Sequence, residues 1–245
     1  MNKTAIIIPS RLSSERLPNK PLKLINGKEM ILHVLDLAIK AKIGEVLIAT
    51  PDQEIFEKIT SYGGKAVMTR TDHQTGTDRI FEVFDRELKK DTDIIVNLQG
   101  DMPNLNPSAI KNLVNYMKKK ICDIGTLASD IKNNEEFNNQ NICKVVTDQK
   151  INKGNFSNAK DFYRLSNEVI PDLTYHHVGI YAFTKKALTQ YVNLKRSKLE
   201  KKRQLEQLRA LENKMKIAVG YIDSCPLSVD TEDDFNEIEK IMVNK

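Results

Sequence analysis

Residues 5–21 read AIIIPSRLSSERLPNKP, a β-branched run that gives way to a basic loop. The three isoleucines are typical of a buried strand, and Pro9 ends that strand because proline has no backbone N–H to donate. The loop behind it carries Arg11, Arg16 and Lys20 and is stiffened by prolines. Open α/β sheets bind ligands in the crevice where parallel strands end. The stretch therefore predicts an anion site at the carboxyl edge of a parallel sheet.

Polyphosphate is the anion that this loop suits best. Arginine binds phosphate oxygens as a bidentate fork, and lysine offers them a point charge. Ser10 adds a hydroxyl directly after the strand. The alternative is a solvated basic surface loop, which a short cationic run on its own fits equally well.

The composition is that of an ordinary globular protein, with 40% hydrophobic and 29% charged residues in a chain of 245. No apolar run approaches the length of a membrane span, and the amino-terminal run is too short for a signal-peptide core. We therefore predict a cytoplasmic protein with no membrane partner. Three scattered cysteines without a Cys-x-x-Cys pair indicate neither a disulfide framework nor a zinc site.

The net charge of +5 raises nucleic-acid binding as an alternative function. Much of the excess charge lies in lysine runs on predicted helices, where a solvated helix face is the usual explanation. With 6% aromatic residues and no tryptophan, the chain offers few platforms on which single-stranded bases could stack. Nucleic-acid binding is therefore the weaker interpretation.

Predicted strands and helices alternate through the first hundred residues. Strands predicted at 45–50 and 65–69 each follow a predicted helix, and a strand–helix–strand order implies right-handed parallel units. The later predicted elements include, in order, a helix over 80–88, a strand at 94–98, a hairpin of 142–147 with 151–157, an unassigned stretch at 158–172, one helix over 199–213, and last strands at 220–223 and 227–231.

A second polar loop follows the third predicted strand. Thr75 and Gly76 stand before the amino terminus of a predicted helix, where backbone N–H groups are free to bind an anion. Arg79 adds a cation to the same place. The alternative is a plain helix cap formed by Thr77 or Asp78.

The strand predicted at 94–98 leads into Gly100 and Asp101. The carboxylate thus stands at the same sheet edge as the basic loop, and the glycine lets a ligand approach the backbone. A lone carboxylate there suits Mg²⁺, which takes one or two protein oxygens and completes its shell with phosphate and water. The weaker alternative is that Asp101 only forms a turn before Pro103. Asp230 also ends a predicted strand.

Six blocks of the chain together resemble a known family. In order they are IPSRLSSERLPNKPL at 8–22, HQTGTDR at 73–79, VNLQGD at 96–101, HVGIY at 177–181, LEQLR at 205–209 and VDT at 229–231. This set is similar to the 3-deoxy-manno-octulosonate cytidylyltransferases, the CMP-Kdo synthetases of lipopolysaccharide biosynthesis. The resemblance spans nearly the whole chain.

The resemblance implies a three-layer α/β/α fold with a mostly parallel central sheet, of the nucleotide-diphospho-sugar transferase type. It implies a homodimer built from a single nucleotidyltransferase domain over 1–245, with a dimerisation and sugar-binding subregion around 125–215. The implied reaction joins CTP to Kdo, an acidic 3-deoxy sugar, and releases CMP-Kdo and pyrophosphate. No nucleic acid takes part.

The resemblance also implies roles for particular residues. Catalysis would depend on Lys20, Asp101 and Asp230, with the two aspartates holding Mg²⁺. Together with the two polar loops, the predicted nucleotide-binding set is Ser10, Arg11, Arg16, Lys20, Thr75, Gly76, Arg79 and Gln99. The predicted sugar-binding set is Gln99, His177, Tyr181, Glu206 and Gln207.

The chain departs from the family pattern at three positions. Met102 stands where the family has glutamate, Asn158 where it has arginine, and Arg203 where it has an acid. The CTP and metal side keeps its residues, whereas the sugar side is altered. An 8-amino variant of Kdo or another nonulosonic acid is therefore an alternative substrate. A dimeric relative that binds CTP without catalysing a reaction is an alternative function.

Overall fold

The computed structural model describes residues 3–14, 16–119, 122–165 and 171–243. Its internal contacts divide the chain into two compact units, residues 1–114 with 226–245 and residues 115–225. No described helix combines the length and the apolar character that a membrane crossing requires.

Strands and helices alternate along the described chain, so the predicted α/β class is confirmed. Strands β1–β11 are Thr4–Pro9, Leu24–Ile25, Lys28–Glu29, Glu45–Thr50, Ala66–Met68, Ile94–Asn97, Ile124–Ser129, Lys144–Thr147, Phe156–Tyr163, Thr174–Thr184 and Ile217–Tyr221. Helices α1–α9 are Met30–Lys40, Gln53–Ser61, Gly76–Val83, Pro107–Met117, Asn134–Asn138, Lys185–Val192, Lys198–Arg203, Leu208–Glu212 and Glu232–Val243. Short 3₁₀ turns cover Lys20–Leu22 and Pro171–Leu173, and a π-helical turn, Phe84–Leu88, continues α3.

The first unit is built on four parallel strands in the order β5-β4-β1-β6. Strand β1 is buried at all three isoleucines, as predicted. The chain runs outward from β1 to β4 and β5 and then returns to β6 on the opposite side of β1. Such a reversal of strand order leaves a crevice beyond the carboxyl ends of the strands, where open α/β sheets bind ligands.

A hydrophobic cluster fixes the basic loop against the last helix. Leu17 of that loop is buried with Met30 at the start of α1 and with Phe235 in α9, and Ile25, Val229 and Ile238 complete the cluster. Leu17 and Val229 are the chain neighbours of two predicted site residues, Arg16 and Asp230. Burial of the cluster therefore brings both ends of the unit to the same place.

The second unit has mixed strand directions. Strand β7 lies between β10, to which it is antiparallel, and β11, to which it is parallel. Strand β9 pairs antiparallel with β11, and β8 pairs with both β9 and β10. The pairings of these five strands therefore close on themselves, and the parallel sheet that the sequence predicts belongs to the first unit.

The predicted hairpin has the right topology and a misplaced second arm. Strands β8 and β9 pair antiparallel, but β9 is Phe156–Tyr163 rather than 151–157. A turn with Gly154 at φ 91° precedes it. The exposed face of this arm is polar, so a search for hydrophobic patterns does not find the strand. Its pairing with β8 forms the strand despite the weak β propensity of its residues. Of the stretch left unassigned, residues 166–170 lie outside the described residues.

The single helix predicted over 199–213 is wrong. Two short helices, α7 and α8, replace it, and Gln204 after α7 adopts the left-handed backbone conformation with φ 54°. The side chain of Arg209 is buried and forms an ion pair with Glu200. In one continuous helix these two residues would lie about 13 Å apart along the axis. The ion pair therefore requires the break.

The last predicted strands are displaced as well. Strand β11 occupies Ile217–Tyr221 rather than 220–223, and residues 227–231 form a loop rather than a strand. Val229 is nevertheless buried, and its N–H donates to the carbonyl oxygen of Asp101 at 2.9 Å. The short apolar pattern there reflects packing of a loop, which periodicity alone does not separate from a strand.

Replacing Glu200 by alanine should lower the free energy of unfolding by about 3 kcal/mol, because it removes the carboxylate that forms an ion pair with the buried guanidinium of Arg209. The Glu200 carboxylate is fully buried and accepts from Arg209 Nε at 3.0 Å and Nη2 at 2.7 Å. Chemical denaturation measures the loss, and Glu135→Ala, an exposed change in the same unit, serves as the control. Equal stability of the two variants would contradict the prediction.

The same carboxylate should make stability depend on pH. Burial of Glu200 favours its neutral form, but hydrogen bonds from Arg209 and the Ser197 N–H outweigh this and lower the pKa of Glu200. The folded-state pKa lies below the unfolded one, so this stabilisation is present above the unfolded pKa and is lost as the pH falls through the folded pKa.

Candidate active site

A cavity of about 850 Å³ opens at the carboxyl edge of the parallel sheet in the first unit. Its walls come from the loop after β1, the loop between β5 and α3, the turn after β6 and the segment before α9. The predicted nucleotide and metal residues line it together: Ser10, Arg11, Arg16, Lys20, Thr75, Gly76, Arg79, Gln99, Asp101 and Asp230.

Lys20 joins the two predicted catalytic aspartates. Its Nζ lies 3.1 Å from Asp101 Oδ2 and 3.1 Å from Asp230 Oδ1, and it donates to the carbonyl oxygen of Val229 at 2.8 Å. Burial of the side chain opposes protonation, but the two carboxylates outweigh it and raise the pKa of Lys20 above its ordinary value. The ammonium is therefore fully charged at neutral pH. Residues far apart in the sequence thus form one charged centre.

Asp230 is held in place by the start of α9, a role that sequence reasoning missed. Asp234 Oδ2 accepts from the N–H of Asp230 at 3.0 Å and from the N–H of Thr231 at 2.8 Å. An acid in the first turn of a helix also interacts favourably with the positive end of the helix dipole. Asp234, four residues after Asp230, is better explained as a cap that aims Asp230 at the cavity.

Three arginines line the same cavity, and they differ in their burial and in their contacts. Arg16 Nη2 lies 3.2 Å from Asp230 Oδ2, and both side chains are substantially exposed. Arg11 makes no ion pair or hydrogen bond with the described residues and lines the cavity. Arg79 is buried, and burial together with the Arg11 charge lowers the pKa of its guanidinium. Two arginines that repel each other and line the same cavity favour the binding of an anion there.

The helix after the second loop begins earlier than predicted, at Gly76 rather than 80. Thr75 is its N-cap, with Oγ1 accepting from the N–H of Asp78 at 3.2 Å. The prediction of Thr77 or Asp78 as the cap is therefore wrong. Because Thr75 and Gly76 line the cavity, the amino terminus of α3 faces it, an arrangement that favours bound anions.

Gln99 is oriented by its neighbour two residues back. Its Nε2 donates to Asn97 Oδ1 at 2.9 Å, and Asn97 is itself buried, with Nδ2 donating to Thr77 Oγ1 at 3.2 Å. A Cβ atom added at Gly76 would lie 3.3 Å from Pro9 Cγ and 3.7 Å from Gln99 Oε1. Glycine therefore permits the close approach of α3 to the end of β1.

The first loop is anchored by Asp52, a second residue that sequence reasoning missed. Asp52 follows β4, and its Oδ2 accepts from the N–H of Leu12 at 2.8 Å. Ser10 donates from its N–H to the carbonyl oxygen of Ala49, while its Oγ is buried without a hydrogen-bond partner in the described structure. The signal that would find Asp52 is its place directly after the strand beside β1.

The predicted sugar-binding residues, apart from Gln99, lie in the second unit. His177 in β10 is buried, and its Nε2 lies 2.9 Å from Thr126 Oγ1, which donates to the carbonyl oxygen of Ile180. The hydroxyl has one proton, so the imidazole donates from Nε2. Burial lowers the pKa of His177 to about 3, and the ring stays neutral at physiological pH. It can act as a hydrogen-bonding group but not as a cation.

Tyr181 and Gln207 lie near this histidine. The rings of His177 and Tyr181 have centroids 5.5 Å apart, and burial raises the pKa of Tyr181. Gln207 Nε2 donates to Cys143 Sγ at 3.4 Å, and Cys143 accepts through its carbonyl from the His177 N–H at 2.9 Å. Glu206 directly precedes Gln207 in the turn between α7 and α8 and is half-buried. The structure thus brings part of the predicted sugar set together.

The three residues that depart from the family pattern are each accommodated by the structure, Met102 by burial and the other two by hydrogen bonds. Met102 is buried in the first unit. Asn158 donates from Nδ2 to Asp148 Oδ2 at 3.2 Å at the surface of the second unit. Arg203 donates to Asp161 Oδ1 at 2.6 Å and to the carbonyl oxygen of Phe162 at 2.8 Å. Each replacement is therefore accommodated within its own unit.

Comparison with known proteins decides the family. Residues 5–217 match the model of a family described as cytidylyltransferase. The chain belongs to the cytidylyltransferase family. This cytidylyltransferase is 41% identical over 241 residues to the 3-deoxy-manno-octulosonate cytidylyltransferase of Bartonella bacilliformis, covering 98% of each chain. It is 42% identical over 235 residues to the enzyme of the same name from Brucella ovis, covering 96% of this chain and 93% of the relative.

A solved structure agrees with these relatives. The cytidylyltransferase matches the structure of CMP:2-keto-3-deoxy-manno-octonic acid synthetase complexed with CTP with a TM-score of 0.88 at 34% identity, over 99% of each chain. The family and the fold that the six sequence blocks predict are therefore confirmed. The roles of individual residues remain predictions.

Proposed function

We propose that this cytidylyltransferase transfers the cytidylyl group of CTP to Kdo, giving CMP-Kdo and pyrophosphate for lipopolysaccharide biosynthesis. One observation carries the proposal: Lys20, Asp101 and Asp230 meet in a cavity whose other charged lining residues, among those that the structure describes, are arginines. The full-length similarity to enzymes named for this reaction supports the choice of both substrates.

The nucleotide phosphates have a natural place among the cations of the first unit. Arg11 forms no ion pair with a carboxylate of the described residues, and its charge acts on Arg79, which lines the same cavity. The amino terminus of α3 adds backbone donors. Phosphate oxygens would relieve the repulsion between the two guanidinium groups, which a neutral ligand would leave in place.

The donor set in the cavity fits Mg²⁺. Asp101 and Asp230 present hard oxygen donors that already share one cation, the Lys20 ammonium. No cluster of three or more histidine, cysteine, aspartate or glutamate side chains able to hold a metal occurs in the described residues. Two carboxylates with phosphate and water are the ligands that Mg²⁺ favours. When bound, Mg²⁺ would neutralise phosphate charge and orient the α-phosphate.

The chemistry that we propose is in-line attack of the anomeric hydroxyl of the sugar on the α-phosphorus of CTP. The new P–O bond forms as the bond to pyrophosphate breaks, and the hydroxyl proton leaves to solvent. Such a transfer depends on positioning and charge stabilisation more than on covalent catalysis. Lys20 and Arg11 would stabilise the charge that builds on the departing pyrophosphate. No protein nucleophile is required.

The sugar itself is the open part of the specificity. We propose that His177, Tyr181 and Gln207 hydrogen-bond its hydroxyl groups, because they lie together in the second unit. The family arginine is replaced by Asn158, and Arg203 is engaged by Asp161. These changes favour testing an 8-amino sugar and other nonulosonic acids beside Kdo. The homodimer stays a prediction of the family resemblance, and the cytoplasmic location stays a prediction from the apolar pattern of the sequence.

Purified protein should release pyrophosphate from CTP only when Mg²⁺ and an acidic 3-deoxy sugar are both present. A coupled phosphate assay with Kdo, 8-amino-Kdo and a second nonulosonic acid measures this, and ATP in place of CTP is the control. Binding of CTP without release, for every sugar tested, would indicate a relative that lacks catalysis. Absence of CTP binding together with strongly salt-dependent binding of DNA or RNA would favour the nucleic-acid interpretation.

A further inference from the structure

The loop between β5 and α3 is tied to its own helix by two side chains. Arg79 donates from Nη1 to the carbonyl oxygen of Arg70 at 3.0 Å. Glu82, on the next turn, accepts from the Arg70 N–H through Oε2 at 3.1 Å. Both backbone polar groups of one loop residue are therefore held by the helix that the loop leads into. The loop cannot shift without breaking both hydrogen bonds.

Glu82 also holds His73, which lines the cavity. His73 Nε2 lies 2.5 Å from Glu82 Oε2, and the imidazole side chain is only 6% exposed. Burial of Glu82 favours its neutral form, but hydrogen bonds from His73 and from the Arg70 N–H outweigh this and lower its pKa. An ionised carboxylate only accepts, so His73 donates from Nε2. Its Nδ1 has no hydrogen-bond partner within the described chain.

We propose that Glu82 is a positioning residue of the nucleotide site, acting through residues 70–75 without touching the substrate. Glu82 is not among the described residues that line the cavity, whereas His73 and Thr75 are. One carboxylate oxygen fixes the ring orientation of His73 and the backbone of Arg70 at once. A loop held in its binding geometry before the ligand arrives costs less conformational entropy on binding. This inference rests on the proposed function, since the ligand of the cavity is taken to be CTP.

Two substitutions at Glu82 separate positioning from plain stability. Glu82→Ala removes both loop hydrogen bonds, whereas Glu82→Gln keeps an acceptor oxygen for His73 and Arg70. Glu87→Ala is the matched control. Glu87 is exposed, and its Oε1 lies 3.5 Å from Nη2 of Arg86, the arginine that Glu82 also contacts. In the described structure Glu87 touches no residue of the loop. Steady-state kinetics with varied CTP and thermal unfolding are measured for each purified protein.

We expect Glu82→Ala to raise the KM for CTP about tenfold with a smaller change in kcat, the size expected from losing one or two ordering hydrogen bonds. Glu82→Gln should restore KM to within about twofold, and Glu87→Ala should match the unchanged protein. Unchanged KM in Glu82→Ala, or a loss of activity that only follows the unfolded fraction, would overturn the proposal. Equal impairment of the alanine and glutamine variants would also overturn it, because charge rather than positioning would then be required.

The unchanged protein separates a failure of this inference from a failure of the proposed function. If it releases no pyrophosphate with any sugar, the proposed function fails, and direct calorimetric titration with CTP replaces KM as the readout for Glu82. If it is active and the alanine variant has the same KM, the positioning role fails while the function stands.

Discussion

Asp101→Asn should reduce CTP-dependent pyrophosphate release on the order of 10³-fold, the upper range for loss of one electrostatic group in a closed site. Asparagine has nearly the same shape but carries no charge, so it weakens the hold on Mg²⁺ and leaves Lys20 with a single carboxylate partner. The fold should persist, because the backbone carbonyl of Asp101 still accepts from the Val229 N–H. Steady-state rates with saturating CTP and sugar measure the loss.

Asp233→Asn is the matched control for this variant. Asp233 is exposed in the first turn of α9, three residues after Asp230, and does not line the cavity in the described structure. Its rate and its thermal unfolding should match those of the unchanged protein. Raising the Mg²⁺ concentration should recover part of the Asp101→Asn rate if the aspartate acts on the metal. Near-normal turnover of Asp101→Asn at ordinary Mg²⁺ would remove Asp101 from the catalytic centre.

The site residues that follow the ends of parallel strands could be predicted from the sequence, because their position does not depend on how the helices pack. Buried apolar runs mark β1 and β6, and parallel strands place their carboxyl ends at one edge whatever their order in the sheet. Arg11 and Asp101 follow these two runs, and Gly76 comes after the loop that follows β5, a further strand of the same parallel set. Their convergence therefore needs no knowledge of how the helices pack. The structure places all three in one cavity.

The contacts that orient those residues could not be predicted in the same way. Lys20 contacts Asp230, which is 210 positions away in the sequence. The contact forms because α9 packs against Leu17 in the hydrophobic cluster. The break at Gln204 carries no glycine or proline to mark it, and a buried ion pair some residues away requires it. Such features are set by non-local packing, which overrides local propensity. Periodicity contains no information about them.

Lys20→Met should lower the rate on the order of 10³-fold, since it removes the cation that we propose stabilises the departing pyrophosphate. It should also change how the protein responds to Mg²⁺ in the absence of substrates. In the structure the Lys20 ammonium neutralises Asp101 and Asp230, and methionine leaves these carboxylates with Arg16 as the remaining cation in described contact. The variant should therefore unfold at a lower temperature than the unchanged protein in metal-free buffer.

Mg²⁺ should then raise the unfolding temperature of Lys20→Met more than that of the unchanged protein, because the metal takes over the neutralisation that the ammonium supplied. Thermal unfolding across a Mg²⁺ titration measures this without any turnover. Lys23→Met is the control, since Lys23 pairs with Glu232 outside the cavity. An equal Mg²⁺ response in all three proteins would mean that the two aspartates do not form the metal site, even if the rate of Lys20→Met had fallen.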